Sequence, residues 1–458
     1  MPKTVKLISP IDGSTYLERE VMDPAAAGMA VDNARAAQFD WAARPMADRI
    51  AMVRAAIAHI GGETDRMTTE LAHQMGRPIR YGGEFGGFNE RASYMADIAE
   101  TTLAPMVIEE SAAFTRKITR EAHGVVLVVA PWNYPYMTAI NTIAPALIAG
   151  NAVVLKHASQ TLKVGEHLAE AFEAAGLPAD VFQNLVLDHD TTSNLIAARA
   201  FDFVNFTGSV AGGRAMEQAA AGTFTPVATE LGGKDPGYVR ADADLDAAVD
   251  GLMDGAMFNA GQCCCGIERI YVHESLYDAF VEKAVAWVSA QKLGDPLDPE
   301  TTIGPMANVR FAGTVRAQIQ WAIAQGATAH IEEMEGDDGG AYLTPQILTG
   351  VNHEMEVMTE ESFGPVVGIM PVSDDDQAIA LMNDCKYGLT AAVFTRDAAA
   401  MDYIAPQLET GTVFMNRCDY LDPALCWTGC KDTGHGAGLS ALGFLALTRP
   451  KSHHYRKS

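Results

Sequence analysis

The chain has 458 residues, 48% of them hydrophobic, enough to bury more than one core and build two or more domains. Its 33 Lys and Arg against 58 Asp and Glu leave a net charge of −25, a field that repels nucleic-acid backbones and anionic lipid surfaces. An anionic cofactor or substrate therefore needs a local cationic or amide-lined site.

The N-terminal stretch MPKTVKLISPIDGS has no apolar run of the secretory kind, and apolar runs such as GVVLVVAPW are too short to span a bilayer. Seven cysteines without such a signal point to reduced thiols in a cytoplasmic protein. Residues 24–60 carry helical periodicity with a break expected near Pro45, and helix continues to about residue 102. FTRKITREAHGVVLVVAPWN (114–133) alternates and then turns β-branched, as a strand pair closing on a buried strand does. Strand, loop and helix then alternate through NAVVLKHA, VFQNLVL and FDFVNFTGS with their following helices. This pattern predicts an α/β fold with a parallel sheet.

A further helix, DLDAAVDGLMDGAMFNAGQ (244–262), leads into three adjacent cysteines, Cys263, Cys264 and Cys265. A second α/β run follows to about residue 416, interrupted by the acidic stretch 332–340, which reads as a solvated loop. Adjacent cysteines make strained disulfides, and with no C-x-x-C or accompanying histidine pair the triplet is not a zinc motif. DADLD (242–246) lacks the turn Gly and closing Glu of a calcium loop and reads as acids at a helix N-terminus. The dinucleotide fingerprint G-x-G-x-x-G is missing from the strand-to-helix turns. FTGSVAGG comes nearest, with different spacing.

Six motifs occur in order over about 235 residues: PWNYP at 131, AGNAVVLK at 149, FTGS at 206, ELGGKDP at 230, FNAGQCC at 258 and ESFGP at 361. Together they resemble the hydrolytic branch of the aldehyde dehydrogenase superfamily. The resemblance implies a Rossmann-like cofactor domain (1–103 and 123–233) and an α/β catalytic domain (234–435). A small β hairpin with the C-terminal tail (104–122 and 436–458) would serve oligomerisation, as a homodimer or homotetramer. It also implies oxidation of an aldehyde to a carboxylic acid with NAD or NADP.

The chemistry suits these residue types. A free aldehyde is a poor hydride donor until a nucleophile adds to it, and a thiolate is a strong nucleophile near neutral pH. Read alone, the cysteine triplet is better taken as buried apolar thiols. By the resemblance, Cys264 is the nucleophile, Asn133 and the Cys264 backbone N–H are the oxyanion donors, and Glu230 is the base that activates water. Lys156 and Ser159 would meet the adenine-side ribose, Gly208 and Ser209 the pyrophosphate at a helix start, Glu361 the nicotinamide ribose and Phe363 the nicotinamide, with Trp132 also contacting the cofactor. Met137, Asn141, Cys263, Cys265 and Trp427 would line the substrate tunnel, with no basic residue evident among them to select a carboxylated substrate.

The sequence departs from the family's pattern in three places. Thr142 stands where a Lys is common, Trp427 where Phe is usual, and Ser159 where NAD-dependent members often carry Glu. Two alternatives remain at this point, a coenzyme A-acylating enzyme and a catalytically silent scaffold. Glu230 argues against the first, and the retention of Cys264, Asn133, Glu230 and Glu361 against the second.

Overall fold

The computed structural model describes residues 3–457. An N-terminal hairpin, β1 (Thr4–Ile8) and β2 (Thr15–Glu20), precedes the helices α1 (Pro24–Ala43), α2 (Met46–Gly61), α3 (Thr64–Met75) and α4 (Phe85–Thr102). Pro45 separates α1 from α2, as its fixed φ and missing N–H require, and α4 ends at the expected residue.

Strands β3 (Met106–Glu110) and β4 (Phe114–Ala122) then pair antiparallel, and β5 (Val125–Val129) follows at once. The alternating segment and the β-branched run prove to belong to different sheets. β4 is half-exposed along its length, whereas every residue of β5 is buried. From β5 the chain runs through α5 (Pro135–Ala149), β6 (Ala152–Lys156), α6 (Leu162–Ala174), β7 (Phe182–Asn184), α7 (His189–Ala197), β8 (Phe203–Thr207), α8 (Val210–Ala220) and β9 (Val227–Glu230). These strands form a five-stranded, wholly parallel sheet in the order β7-β6-β5-β8-β9.

The second α/β run contains β10 (Asp235–Val239), α9 (Leu245–Met257), β11 (Ile267–His273), α10 (Tyr277–Ser289) and α11 (Val309–Ala324). It continues with β12 (Thr328–Ala329), β13 (Gln346–Thr349), α12 (Glu356–Thr359), β14 (Val366–Val372) and α13 (Asp375–Asn383). The last elements of this run are β15 (Tyr387–Gly388), β16 (Thr390–Phe394), α14 (Ala398–Ile404) and β17 (Thr412–Met415). Its seven-stranded sheet has the order β12-β13-β14-β11-β10-β16-β17, parallel except for β12 against β13. The Asp244 carboxylate accepts from the Ala247 N–H and caps α9, so the DADLD acids do sit at a helix N-terminus.

After β18 (Cys430–Lys431) and α15 (Ser440–Ala446), β19 (Thr448–Arg456) adds to β4, completing a three-stranded sheet in the order β19-β4-β3. Met106, Val107 and Ile108 on its edge strand β3 are 63%, 61% and 55% exposed. Separate apolar clusters cover the two faces of the five-stranded sheet, and two more flank the seven-stranded one.

Candidate active site

Strands β5, β6, β8 and β9 all end at one crevice, the place where open parallel sheets bind ligands. A cavity of about 860 Å³ opens there, and Trp132, Asn133, Lys156, Ser159, Gly208, Ser209, Glu230, Cys264, Glu361 and Phe363 all line it. The structure thus brings together every expected catalytic and cofactor residue.

The nucleophile's turn is built from unusual backbone. Asn259, Ala260 and Gly261 follow one another with φ of 56°, 54° and 68°, the left-handed region that costs a non-glycine residue energy. Glycine is needed at 261 for space as well, because a Cβ there would collide with the Gly364 carbonyl. Buried Arg77, which sequence reasoning missed, holds this turn. Its Nε donates to Asn259 Oδ1 at 3.2 Å, its Nη2 to the Asn133 carbonyl at 2.5 Å, and its Nη1 to Glu84 at 2.7 Å. The other Glu84 oxygen accepts the N–H groups of Tyr136 and Met137 at 2.9 and 2.8 Å, capping the start of α5. One guanidinium therefore sets the Asn133 loop against the Cys264 turn. Among the described residues neither the Asn133 side-chain amide nor the Cys264 N–H has a protein partner, so both donors are free.

The three thiol sulfurs lie within 4.8 Å of one another. Cys263 and Cys265 both donate to Asp419 Oδ1, at 3.3 and 3.0 Å, while Cys264 alone lines the cavity. The two neighbouring thiols hold Cys264 below the ordinary thiol range and are themselves raised.

Glu230 ends β9. Burial pushes its carboxyl up to about 7, against a hydrogen bond from Thr207 Oγ1 at 3.3 Å. Burial likewise pushes Glu361 to about 8, although it accepts the Gly233 N–H at 3.1 Å. The Gly232–Gly233 pair is explained by close approach. A Cβ at Gly232 would collide with the Glu361 carboxyl, and one at Gly233 with the Cys264 carbonyl. The loop carrying Glu361 hangs on Glu268, whose carboxylate accepts the N–H groups of Ser362 and Phe363, each at 2.8 Å, and pairs with fully buried Lys234 at 2.5 Å. Neither Lys234 nor Glu268 was expected.

At the far end of the cavity lies Lys156, 8% exposed, with Ser159 opening a short 3-10 helix and Ser209 Oγ accepting from Gly212 N at the start of α8. Lys3 and Asp188, paired at 2.8 Å, were missed and share this wall. Phe311, also missed, stacks on Trp132 with centroids 5.3 Å apart, and Phe363 meets Trp132 edge-on at 5.4 Å.

None of Met137, Asn141, Cys263, Cys265 and Trp427 lines this cavity. Met137, the two cysteines and Trp427 share one apolar cluster with Cys264 and Tyr134, and Asn141 is buried one turn beyond Met137 on α5. Trp427 bonds Gly438 through the backbone, and a Cβ on Gly438 would lie 2.9 Å from Glu230 Oε1. A basic residue does stand beside this group. Arg91, on α4 and buried, donates to the Met137 carbonyl at 3.3 Å. Nothing local in the sequence marks it, since α4 and α5 meet only in the folded chain.

Two outcomes follow from this geometry. Arg77→Met leaves Glu84 buried and uncompensated, so urea unfolding should show a loss of about 3–5 kcal/mol, partly recovered by adding Glu84→Gln. Iodoacetamide alkylation of Cys264 should rise with pH around a midpoint below the ordinary thiol range, and Cys265→Ala should move that midpoint upward. An unmoved midpoint would show that the neighbouring thiol does not stabilise the thiolate.

Comparison with known proteins agrees with the site. Residues 1–453 match the sequence profile of the Aldehyde dehydrogenase family. The chain is 32% identical to a succinate-semialdehyde dehydrogenase [NADP(+)] of Deinococcus radiodurans over 97% of this chain and 93% of that protein. It is 34% identical to a 4,4'-diapolycopene aldehyde oxidase of Methylomonas over 98% and 85%. The solved structure of a 3,6-anhydro-L-galactose dehydrogenase in complex with NAP superposes with a TM-score of 0.94 at 29% identity, covering 99% and 96%. A cysteine, two free donors and a buried carboxyl around one dinucleotide-sized cavity, on a chain matched throughout its length, place this protein in the aldehyde dehydrogenase family.

Proposed function

We propose that this NAD(P)-dependent aldehyde dehydrogenase turns over through a covalent thioester on Cys264, with Asn133 and Glu230 as its partners. The observation that carries this reading is the convergence of an accessible low-pKa thiol, two unpaired donors and a carboxyl near 7 on one cavity wall. The Cys264 thiolate adds to the aldehyde carbon, and the Asn133 amide and Cys264 N–H receive the oxyanion. NAD(P), when bound, supplies the hydride acceptor for oxidation of that adduct to the thioester. Glu230 then takes a proton from water as the water attacks the thioester, releasing carboxylic acid and restoring the thiol.

The cavity suits a dinucleotide. The capped start of α8 offers amides for a pyrophosphate, Lys156 a cation, and Glu361 a carboxyl for ribose hydroxyls, with Trp132 and Phe363 as the aromatic surface. Residues 1–103 and 123–233 act as the cofactor domain and 234–435 as the catalytic domain. Segments 104–122 and 436–458 act as the assembly element. The exposed apolar edge β3 supports a homodimer or homotetramer. Seven free thiols support a cytoplasmic setting, and among the described residues no helix is long and apolar enough to cross a membrane.

Cys264→Ala should abolish turnover of an aldehyde panel. Glu230→Gln should release up to one equivalent of NAD(P)H per site and then stall, with or without added coenzyme A. Steady turnover in Glu230→Gln would remove it from the mechanism, and turnover restored by coenzyme A would favour acyl transfer.

Ser159 leaves room for a 2′-phosphate where a carboxylate would repel one, so NADP should serve at least as well as NAD. Ser159→Glu should cost NADP at least tenfold in kcat/KM, equivalent to about 1.4 kcal/mol, and leave NAD nearly unchanged. Equal losses for both nucleotides would place Ser159 away from the ribose.

A further inference from the structure

The cysteine triplet lacks the spacing of a zinc motif in the sequence, but folding adds a fourth ligand to it. Asp419, 154 residues beyond Cys265, accepts hydrogen bonds from two of the three thiols on a single oxygen, Oδ1. The Cys263 and Cys265 sulfurs are 3.3 and 3.0 Å from that oxygen and 3.5 Å from each other. The Cys264 sulfur lies within 4.8 Å of both. Three sulfurs and one oxygen therefore enclose one small volume. Among the described residues Asp419 forms no ion pair, and its Oδ2 accepts no hydrogen bond. Burial, and then the facing Cys263 sulfur, hold its carboxyl well above the usual range. Its backbone stands at φ 53°, a left-handed conformation whose cost needs a reason.

These separations are close to those of a tetrahedral soft-metal centre. With metal–sulfur bonds of about 2.3 Å and metal–oxygen bonds of about 2.0 Å, two ligand sulfurs stand about 3.8 Å apart, and a sulfur and an oxygen about 3.5 Å. The separations among Cys263, Cys265 and Asp419 fall short of this by about 0.2 to 0.5 Å, within the reach of side-chain adjustment. Charge also balances. The two S–H protons aimed at Oδ1 leave to solvent and one dication takes their place, so the net charge of the cluster is unchanged. The ion gives Asp419 the counter-charge it lacks and takes the Cys264 thiolate as a third sulfur. Cys264 lines the cavity, which gives the ion a way in from solvent. Thiolate ligands select zinc and cadmium over magnesium and calcium.

We infer that Cys263, Cys264, Cys265 and Asp419 form a binding site for a thiophilic divalent cation of the zinc class, whose occupancy withdraws the nucleophile from the aldehyde. The inhibitory consequence rests on Cys264 as the nucleophile, whereas the cation site stands without it.

The experiment reads binding apart from turnover. Cadmium chloride added to the reduced, chelator-washed enzyme should raise the ultraviolet thiolate-to-cadmium band, which saturates at one equivalent per chain. Asp419→Asn, which keeps an acceptor but removes the charge, and Cys265→Ser should each cost at least tenfold in cadmium affinity. Two substitutions are made so that a folding defect in one leaves the other to decide. Cys430→Ser, at a free thiol outside the cluster, should leave the affinity unchanged. In turnover, zinc chloride should inhibit the wild-type enzyme and EDTA should restore it. The half-inhibiting concentration should rise at least tenfold in both variants, each scored against its own uninhibited rate. No thiolate band in the wild-type enzyme, or an unchanged affinity in the variants, overturns the site. Zinc inhibition equally strong in the wild type and both variants marks binding to the Cys264 thiol alone and overturns it as well. A one-equivalent band that is lost in the variants, in an enzyme whose turnover zinc leaves untouched, would uphold the cation site and refute Cys264 as the nucleophile.

Discussion

The active site depends on the guanidinium of Arg77. Its three nitrogens reach the Asn259 side chain, the Asn133 carbonyl and Glu84, each from a different segment of the chain. Asn259 sits in the left-handed turn before the cysteines, and Glu84 caps the helix that follows the Asn133 loop. The planar fork of arginine can hold three partners in fixed directions, which a lysine cannot. The distance between nucleophile and oxyanion donor is thereby set by buried hydrogen bonds rather than by the mobility of either loop. Lys234 and Glu268 do the same for the loop carrying Glu361 and Phe363.

Burial gives the two carboxyls in the cavity unusual character. Glu230 at about 7 and Glu361 at about 8 are both raised chiefly by loss of water. A base near 7 is ionised often enough to accept a proton and basic enough to pull one. Burial favours the protonated form of Glu361, which can donate as well as accept a hydrogen bond, the capacity that a ribose diol engages. The glycines at 232 and 233 are the steric counterpart, because any side chain there would fill the space between strand and site.

The residues legible in the sequence are those whose chemistry sits in short contiguous motifs at strand ends. Asn133, Lys156, Ser209, Glu230, Cys264 and Glu361 fall in such motifs, and the fold delivers all six to one cavity. The parallel sheet was legible for a similar reason, since each β-branched run is followed by its own helix. The assignment of β4 and β5 to different sheets was not, because pairing partners more than 300 residues away cannot be seen in a local pattern. β4 pairs with β19, placing Thr448 opposite Ala122. Arg77, Glu84, Glu268 and Arg91 were missed on the same ground. A charged residue reads as solvated surface until tertiary packing buries it against a distant partner.

The cysteine triplet shows how one thiol of three is chosen. All three sulfurs share a small volume, so their different behaviour comes from what each one faces. Cys263 and Cys265 point their protons at Asp419, which burial holds well above the usual carboxyl range. Ionising either thiol there would put negative charge beside an acidic group with little water to screen it. Cys264 faces the cavity, its thiol is held below the ordinary range, and an unpaired backbone N–H lies at its own residue. Thr142 is buried and uncharged on α5. The cation that acts on Glu230 comes instead from Arg91 on α4, so the charge seen by the base is set by helix packing rather than by the motif that carries Asn133.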